Sequence, residues 1–195
     1  ADRVTEGGIT SIKLNAPLII RASDGQRPVI ELAGPLAFRP LKVVGATPAE
    51  QTTLDARIEA LFVRLEGVYI ARAENFASAL PAAQRCFLPL IARAALNKLE
   101  ILSCTLDPGG FRYFNGTRAP RLQAIILKEP YGFALPADEL AFKQTPELVI
   151  QRSICGAIFT DEGYRLCLSD SIVESIPVSI SQSVGPAKIF PFAIR

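Results

Sequence analysis

The sequence predicts an all-β chain wound as a parallel β-helix, a solenoid with irregular loop insertions and one or two short helices. Three observations point there. Apolar runs are short, four to eight residues, rich in Ile, Leu and Val, and most alternate, as strands with one buried face do. A motif recurs: Leu148-Val149-Ile150-Gln151-Arg152-Ser153-Ile154 and Leu166-Cys167-Leu168-Ser169-Asp170-Ser171-Ile172 lie 18 residues apart. Turn signals separate the runs, yet tight two-residue hairpin turns between paired strands are scarce. That scarcity favours a coil over a sandwich of antiparallel hairpins.

In chain order, the strand candidates begin with Leu18-Ile19-Ile20, Pro28 to Leu32, Leu61 to Leu65 and Val68-Tyr69-Ile70. Leu99 to Leu102, Leu122 to Leu127 and Leu148-Val149-Ile150 follow. Asp24-Gly25, Asp107-Pro108-Gly109-Gly110, Asn115-Gly116 and Glu162-Gly163 read as turns. Two stretches read as helical. Residues Ala77 to Ala95 are Ala-rich, though Pro81 and Pro89 interrupt them. Thr47-Pro48-Ala49-Glu50-Gln51 offers Thr47 as cap and Pro48 in the first turn. Alternating β-α units are not visible, which disfavours a doubly wound fold.

The repeat carries most of the architecture. A third copy is Leu99 to Leu106, read with one extra residue and Thr-Leu in place of Ser-Ile; a looser one is Val63 to Ile70. Each unit holds two strand-like pieces hinged at a small or polar pair. A turn too narrow to bury its own apolar face must stack on equivalent turns. Stacking is expected to place Leu on Leu and Ile on Ile (Ile154 and Ile172) inside, and to align Thr105, Ser153 and Ser171. Pro108, Gly109 and Asp170 complete the expected ladder and turn positions. Asp170 falls one rung beyond Arg152, which predicts a cross-rung ion pair. Residues 1–195 read as a single β-helix domain cut from a longer chain. Asp107 to Arg121 and Lys128 to Glu147 read as loops leaving the coil. They hold Phe111, Tyr113, Phe114, Tyr131, Phe133 and Phe142; the first five form the candidate partner-binding loop surface.

Composition narrows the chemistry. The 195 residues are 49% hydrophobic, with a net charge of +2 and interspersed signs, so there is no electrostatic footprint for nucleic acid. His is absent, which removes Ser-His-Asp and Cys-His sites and His-ligated metals. Cys86, Cys104, Cys155 and Cys167 show no C-x-x-C spacing and read as buried thiols. No apolar stretch is long enough for a membrane-spanning helix. Asn115-Gly116-Thr117 fits a glycosylation sequon but is more simply a turn, and no phosphate-binding glycine loop is present. Asp161, Glu162, Asp170 and Glu174, with Arg152 and Arg165 nearby, are the carboxylates a β-helix lyase or hydrolase would draw on. Only Asp170 falls in a strand, which argues against a calcium-assisted site. The expectation is therefore no catalytic residue, no metal and no cofactor.

Residues Ile19 to Ile30, Ile19-Ile20-Arg21-Ala22-Ser23-Asp24-Gly25-Gln26-Arg27-Pro28-Val29-Ile30, resemble the opening coil of a group of large bacterial β-helix proteins. Cys104-Thr105-Leu106-Asp107-Pro108-Gly109, Arg152-Ser153-Ile154-Cys155-Gly156-Ala157-Ile158 and Leu166 to Val173 resemble that group's later strands in order and spacing. Those proteins look like tail or baseplate components of phage tail-like contractile injection systems. The resemblance implies a right-handed parallel β-helix with a non-catalytic structural or target-contacting role. It also implies a bacterial particle, assembled in the cytoplasm and acting outside the cell or at the envelope. The chain departs from the group in Ser103, where a His is expected, and in its aromatic loop Phe111 to Asn115. Other subunits of a large assembly, and a surface glycan or receptor, are the expected partners. A carbohydrate-active β-helix enzyme and a secreted adhesin are the alternatives.

Overall fold

A computed structural model describes residues 3–6, 9–40, 47–81, 88–94, 97–110, 114–116, 122–127, 146–160 and 164–174. About half of the described residues lie in strands, and one twelve-residue helix accompanies them. The first rung comprises β2 (Ile9–Leu14), β3 (Leu18–Arg21) and β4 (Val29–Leu32), preceded by β1 (Arg3–Glu6). Next come β5 (Leu36–Pro40), α1 (Pro48–Glu59), β6 (Phe62–Glu66) and β7 (Tyr69–Arg72). β8 (Ile91–Ala94), β9 (Lys98–Leu102) and β10 (Thr105–Leu106) follow, then β11 (Gln123–Leu127), β12 (Glu147–Gln151) and β13 (Ile154–Cys155). β14 (Ala157–Thr160), β15 (Arg165–Ser169) and β16 (Ile172–Val173) end the series.

These strands sort into three sheets. Sheet A runs β1-β2-β5-β8-β11-β14, sheet B runs β3-β6-β9-β12-β15 and sheet C runs β4-β7-β10-β13-β16. Every third strand thus lies beside its predecessor in parallel, and the chain visits the three sheets in rotation. Among the described residues only the β1–β2 pair is antiparallel.

The sheet B register explains the Leu-x-Leu repeat. Val63, Leu99, Leu148 and Leu166 form one column, and Leu65, Ile101, Ile150 and Leu168 the next. Val63, Leu65, Ile101, Leu148 and Ile150 are fully buried. Each such side chain contributes about 1.5–3 kcal/mol through burial. Ile91, Ile125 and Ile158 stack from sheet A, and Ile70, Leu106, Cys155 and Val173 from sheet C. Between the sheet B columns, Arg64, Val149 and Cys167 are only half-buried.

Register also corrects the sequence reading. The copy at Leu99 aligns with the copy at Leu148 without an extra residue. Thr105 aligns with Ile154 and Ile172, and Cys104 is the residue that shares its position with Ser153 and Ser171. Ile154 and Ile172 lie outside, 39% and 59% exposed, rather than in an interior ladder. The cause is the corner between sheets B and C. Gly67, Ser103, Arg152 and Asp170 hold φ of 72°, 52°, 49° and 49° there. One left-handed residue redirects the chain, so the following residue points inward and the one after it outward. Ser103, Arg152 and Asp170 adopt φ > 0 without being glycine, at a cost of roughly 1–2 kcal/mol each.

The corner is stapled as well as bent. The Ser153 hydroxyl accepts the Cys104 N–H (3.0 Å) and donates to the Gln151 carbonyl (2.8 Å). One rung on, the Ser171 hydroxyl accepts the Ser153 N–H (3.1 Å) and lies 2.8 Å from the Ser169 carbonyl. Each serine thus satisfies an N–H that the bend removes from the strand ladder.

A second close approach fixes Gly156. A Cβ there would lie 2.2 Å from the Leu122 carbonyl oxygen and 3.3 Å from Pro108 Cα. The turn it meets is itself ordered. Pro108 accepts the Leu122 N–H (3.0 Å), and the Asp107 carboxylate accepts the Gly109 N–H (3.0 Å).

Helix α1 forms at the Thr47-Pro48 signal and runs twelve residues. Thr47 and Glu50 cap it reciprocally: the Thr47 N–H donates to the Glu50 carboxylate (2.8 Å), and the Glu50 N–H to the Thr47 hydroxyl (3.4 Å). The Thr47 N–H, first, and the Thr47 hydroxyl, which also donates to the Glu50 carboxylate (2.7 Å), hold the Glu50 carboxyl below its ordinary range. The other helical reading fails where it is described: within Ala77 to Ala95, residues 77–80 form turns and 91–94 are strand β8. Strand propensity and sheet pairing override the Ala-rich composition there.

Candidate functional site

The richest surface lies where sheet A turns into sheet B. Helix α1 ends at Glu59, and Ala60 donates back to the Ala56 and Arg57 carbonyls. Asn97, which leads into β9, donates from Nδ2 to the Glu59 carbonyl. Along the same edge the Glu147 N–H donates to the Asn97 carbonyl (2.8 Å), and the Arg165 N–H to the Pro146 carbonyl (2.9 Å). Leu61, Asn97, Pro146 and Tyr164 therefore form one column, with Phe62, Lys98, Glu147 and Arg165 beside it. Together with Glu59 and Ala60, most of these residues line a cavity of about 860 Å³, in the size range of small-molecule sites.

A chain of alternating charge crosses this face. Arg64 Nε meets Glu100 Oε2 at 2.6 Å and Lys98 Nζ meets Glu100 Oε1 at 3.0 Å. Lys98 reaches Glu147 at 3.9 Å, and Arg165 Nη1 meets Glu147 Oε1 at 3.1 Å. Arg64 also stacks over the Phe62 ring, 5.8 Å from its centroid. Burial opposes ionisation of Glu100, but hydrogen bonds and charge from Arg64 and Lys98 outweigh it and hold its carboxyl below the ordinary range.

A smaller polar cluster sits on the outer face of sheet C. Arg27 Nη2 donates to Thr105 Oγ1 at 2.6 Å. Burial first, and the Asp107 charge second, push the neighbouring Tyr69 hydroxyl above its ordinary range.

The sequence-selected residues scatter. Thr105 is buried on sheet C under Arg27, and Pro108 and Gly109 form the turn after β10. Ser153 and Ser171 staple the B–C corner, Ile154 and Ile172 face outward, and Asp170 occupies the left-handed bend. Arg152 and Asp170 hold equivalent bend positions in consecutive rungs, yet no ion pair joins them among the described residues; the backbone contact there is the Arg152 N–H donating to the Ser169 carbonyl. Of the aromatic loop residues, Phe114 is fully exposed. Phe111, Tyr113, Tyr131, Phe133 and Phe142 lie outside the described residues, as do Asp161, Glu162 and Cys86.

Sequence reading passed over Glu59, Asn97, Lys98, Glu147 and Tyr164. A signal was available: in three copies the residue before Leu-x-Leu or Leu-x-Ile is charged, Lys98, Glu147 and Arg165. Among the described residues no group of three potential metal ligands forms, and no helix is long and apolar enough to cross a membrane. Set against known proteins, the chain matches no family model, no curated sequence and no solved structure.

Proposed function

We propose that the chain is a right-handed parallel β-helix acting as a non-catalytic structural or target-contacting segment of a phage tail-like contractile injection particle. Its strands visit three sheets in rotation, and parallel strands joined by a crossover are right-handed in nearly all proteins. The observation that carries the functional reading is the in-register stack of five rungs. Such a stack resists bending and twisting and offers continuous faces for contact with neighbouring subunits. The motifs shared with the bacterial β-helix group fall on the elements that build the rungs: the B–C corner at Arg152-Ser153 and Asp170-Ser171, and the turn after β10. On the charged face Glu100 and Glu147 each contact two cations, an arrangement that favours holding shape over proton transfer.

The test is immunogold electron microscopy of particles from the source bacterium, with an antibody raised against this chain. Label on sheathed, tail-like particles is the expected result, and the labelled end separates baseplate from fibre. Label confined to free protein or to the cell surface overturns the assembly reading and points to an adhesin.

A further inference from the structure

We infer that the cavity between α1 and the leading edge of sheet B is a binding site for a neutral oligosaccharide. This rests on the target-contacting reading and names the class of target. The site draws on four consecutive rungs: Phe62, then Asn97 and Lys98, then Glu147, then Tyr164 and Arg165. Three inter-strand spacings span about 14 Å, room for two or three linked pyranose units laid along the stack.

The chemistry selects against a charged ligand. The carboxylate of Glu147 sits between Arg165 (3.1 Å) and Lys98 (3.9 Å), and Lys98 is shared with Glu100 (3.0 Å). An anionic ligand must compete with Glu147 and Glu100 for the same cations, and a cationic one with Lys98 and Arg165 for the carboxylates. A neutral polyol leaves every pair intact and takes its hydrogen bonds from the oxygen and nitrogen valences that the pairs leave over. The two aromatic rings supply the complementary feature. Pyranose C–H faces are apolar and lie flat on rings such as that of Tyr164 and, on the face that Arg64 does not cover, that of Phe62, both half-buried at the cavity wall. Tyr164 also packs against the hydrophobic core, so its ring is held in place before any ligand arrives.

The test is an amide NMR titration of the full 195-residue chain. The probes are neutral trisaccharides (maltotriose and tri-N-acetylchitotriose) and, as the anionic probe, trigalacturonate. At least one neutral probe is expected to shift the amides of Asn97, Lys98, Glu147 and Arg165, and to bind about tenfold more tightly than trigalacturonate. Tyr164→Phe keeps the ring and its packing and is expected to retain neutral binding within about threefold. Glu147→Gln leaves Lys98 and Arg165 in excess, and is expected to narrow or reverse the preference over trigalacturonate by about tenfold. The inference is overturned if no neutral probe shifts these amides, if trigalacturonate binds the unaltered chain more tightly, or if the shifts map to residues 114–116 instead. Particle labelling is read separately. Label without saccharide binding removes this inference alone, and binding without label removes the assembly reading alone.

Discussion

At the scale of single residues, the B–C corner is where small changes have large effects. The Ser153 hydroxyl holds the Cys104 N–H and the Gln151 carbonyl in a fully enclosed position. Ser153→Ala leaves that N–H without a partner, and an unsatisfied buried donor costs about 1–3 kcal/mol. The expected outcome is a loss of that size in urea unfolding, with a smaller loss for Ser171→Ala, whose site is less enclosed. Equal losses would mean that burial is not what gives Ser153 its weight. The thiols give a second test. Burial pushes the Cys155 thiol up to about 12, and burial also raises Cys104. Both are expected to resist alkylation of the native protein under conditions that modify half-buried Cys167, as read by peptide mass spectrometry. The sign in pH follows. A thiol whose folded value is raised contributes stability below its unfolded value, and that contribution fades as pH climbs from about 9 towards 12. Cys155→Ala is therefore expected to flatten the alkaline limb of the stability curve.

At the scale of elements, the outer face of sheet B turns strand alternation into an electrostatic device. Positions between the buried Leu and Ile columns carry Arg64 and Glu100, and those at the leading edge carry Lys98, Glu147 and Arg165. Glu100 is the pivot, bonded to cations from its own and the preceding rung. Because its folded carboxyl titrates below the ordinary range, its contribution is present above about pH 4.3 and is lost as pH falls through the depressed folded value. Glu100→Gln is expected to cost about 1 kcal/mol at neutral pH. The gap from the unaltered chain should close in urea melts at strongly acid pH; a gap that stays constant would show that charge plays no part.

The same strands show what could be read in advance. Leu-x-Leu with a polar pair and a small residue was legible because alternation and repetition are local signals. Ile154 and Ile172 were placed on the wrong face because one left-handed residue, invisible in a hydropathy pattern, shifts everything after it. The Ala-rich stretch misled because pairing of β8 with β5 and β11 is non-local. The cavity was missed for a related reason. Its residues come from the end of α1 and from four rungs, spread along the chain from Glu59 to Arg165, and only register brings them together.

At the scale of the whole molecule, stability is distributed rung by rung. Leu65, Ile101 and Ile150 are fully buried, whereas Leu168, in the same column, is 38% exposed on the last described rung. In a stack each rung leans on its neighbours, so inner rungs are opened only with those outside them. Native-state hydrogen exchange is therefore expected to be slowest in β6, β9 and β12 and fastest in β15 and β16. Uniform protection across all five strands of sheet B would show instead that the chain opens as a single unit.

The two-residue B–C corner also governs how such a molecule can change over generations. From the second rung onward this corner is always two residues: Gly67-Val68, Ser103-Cys104, Arg152-Ser153 and Asp170-Ser171. The other two corners are free in length. One admits the whole of α1 between β5 and β6, and another only Gly156 between β13 and β14. Insertion and recombination can therefore remodel two edges of the stack while the third keeps the rungs in phase. New loops can be grafted at the variable edges, and whole rungs exchanged between related chains by cutting at the serine corner, where the joining geometry is the same each time.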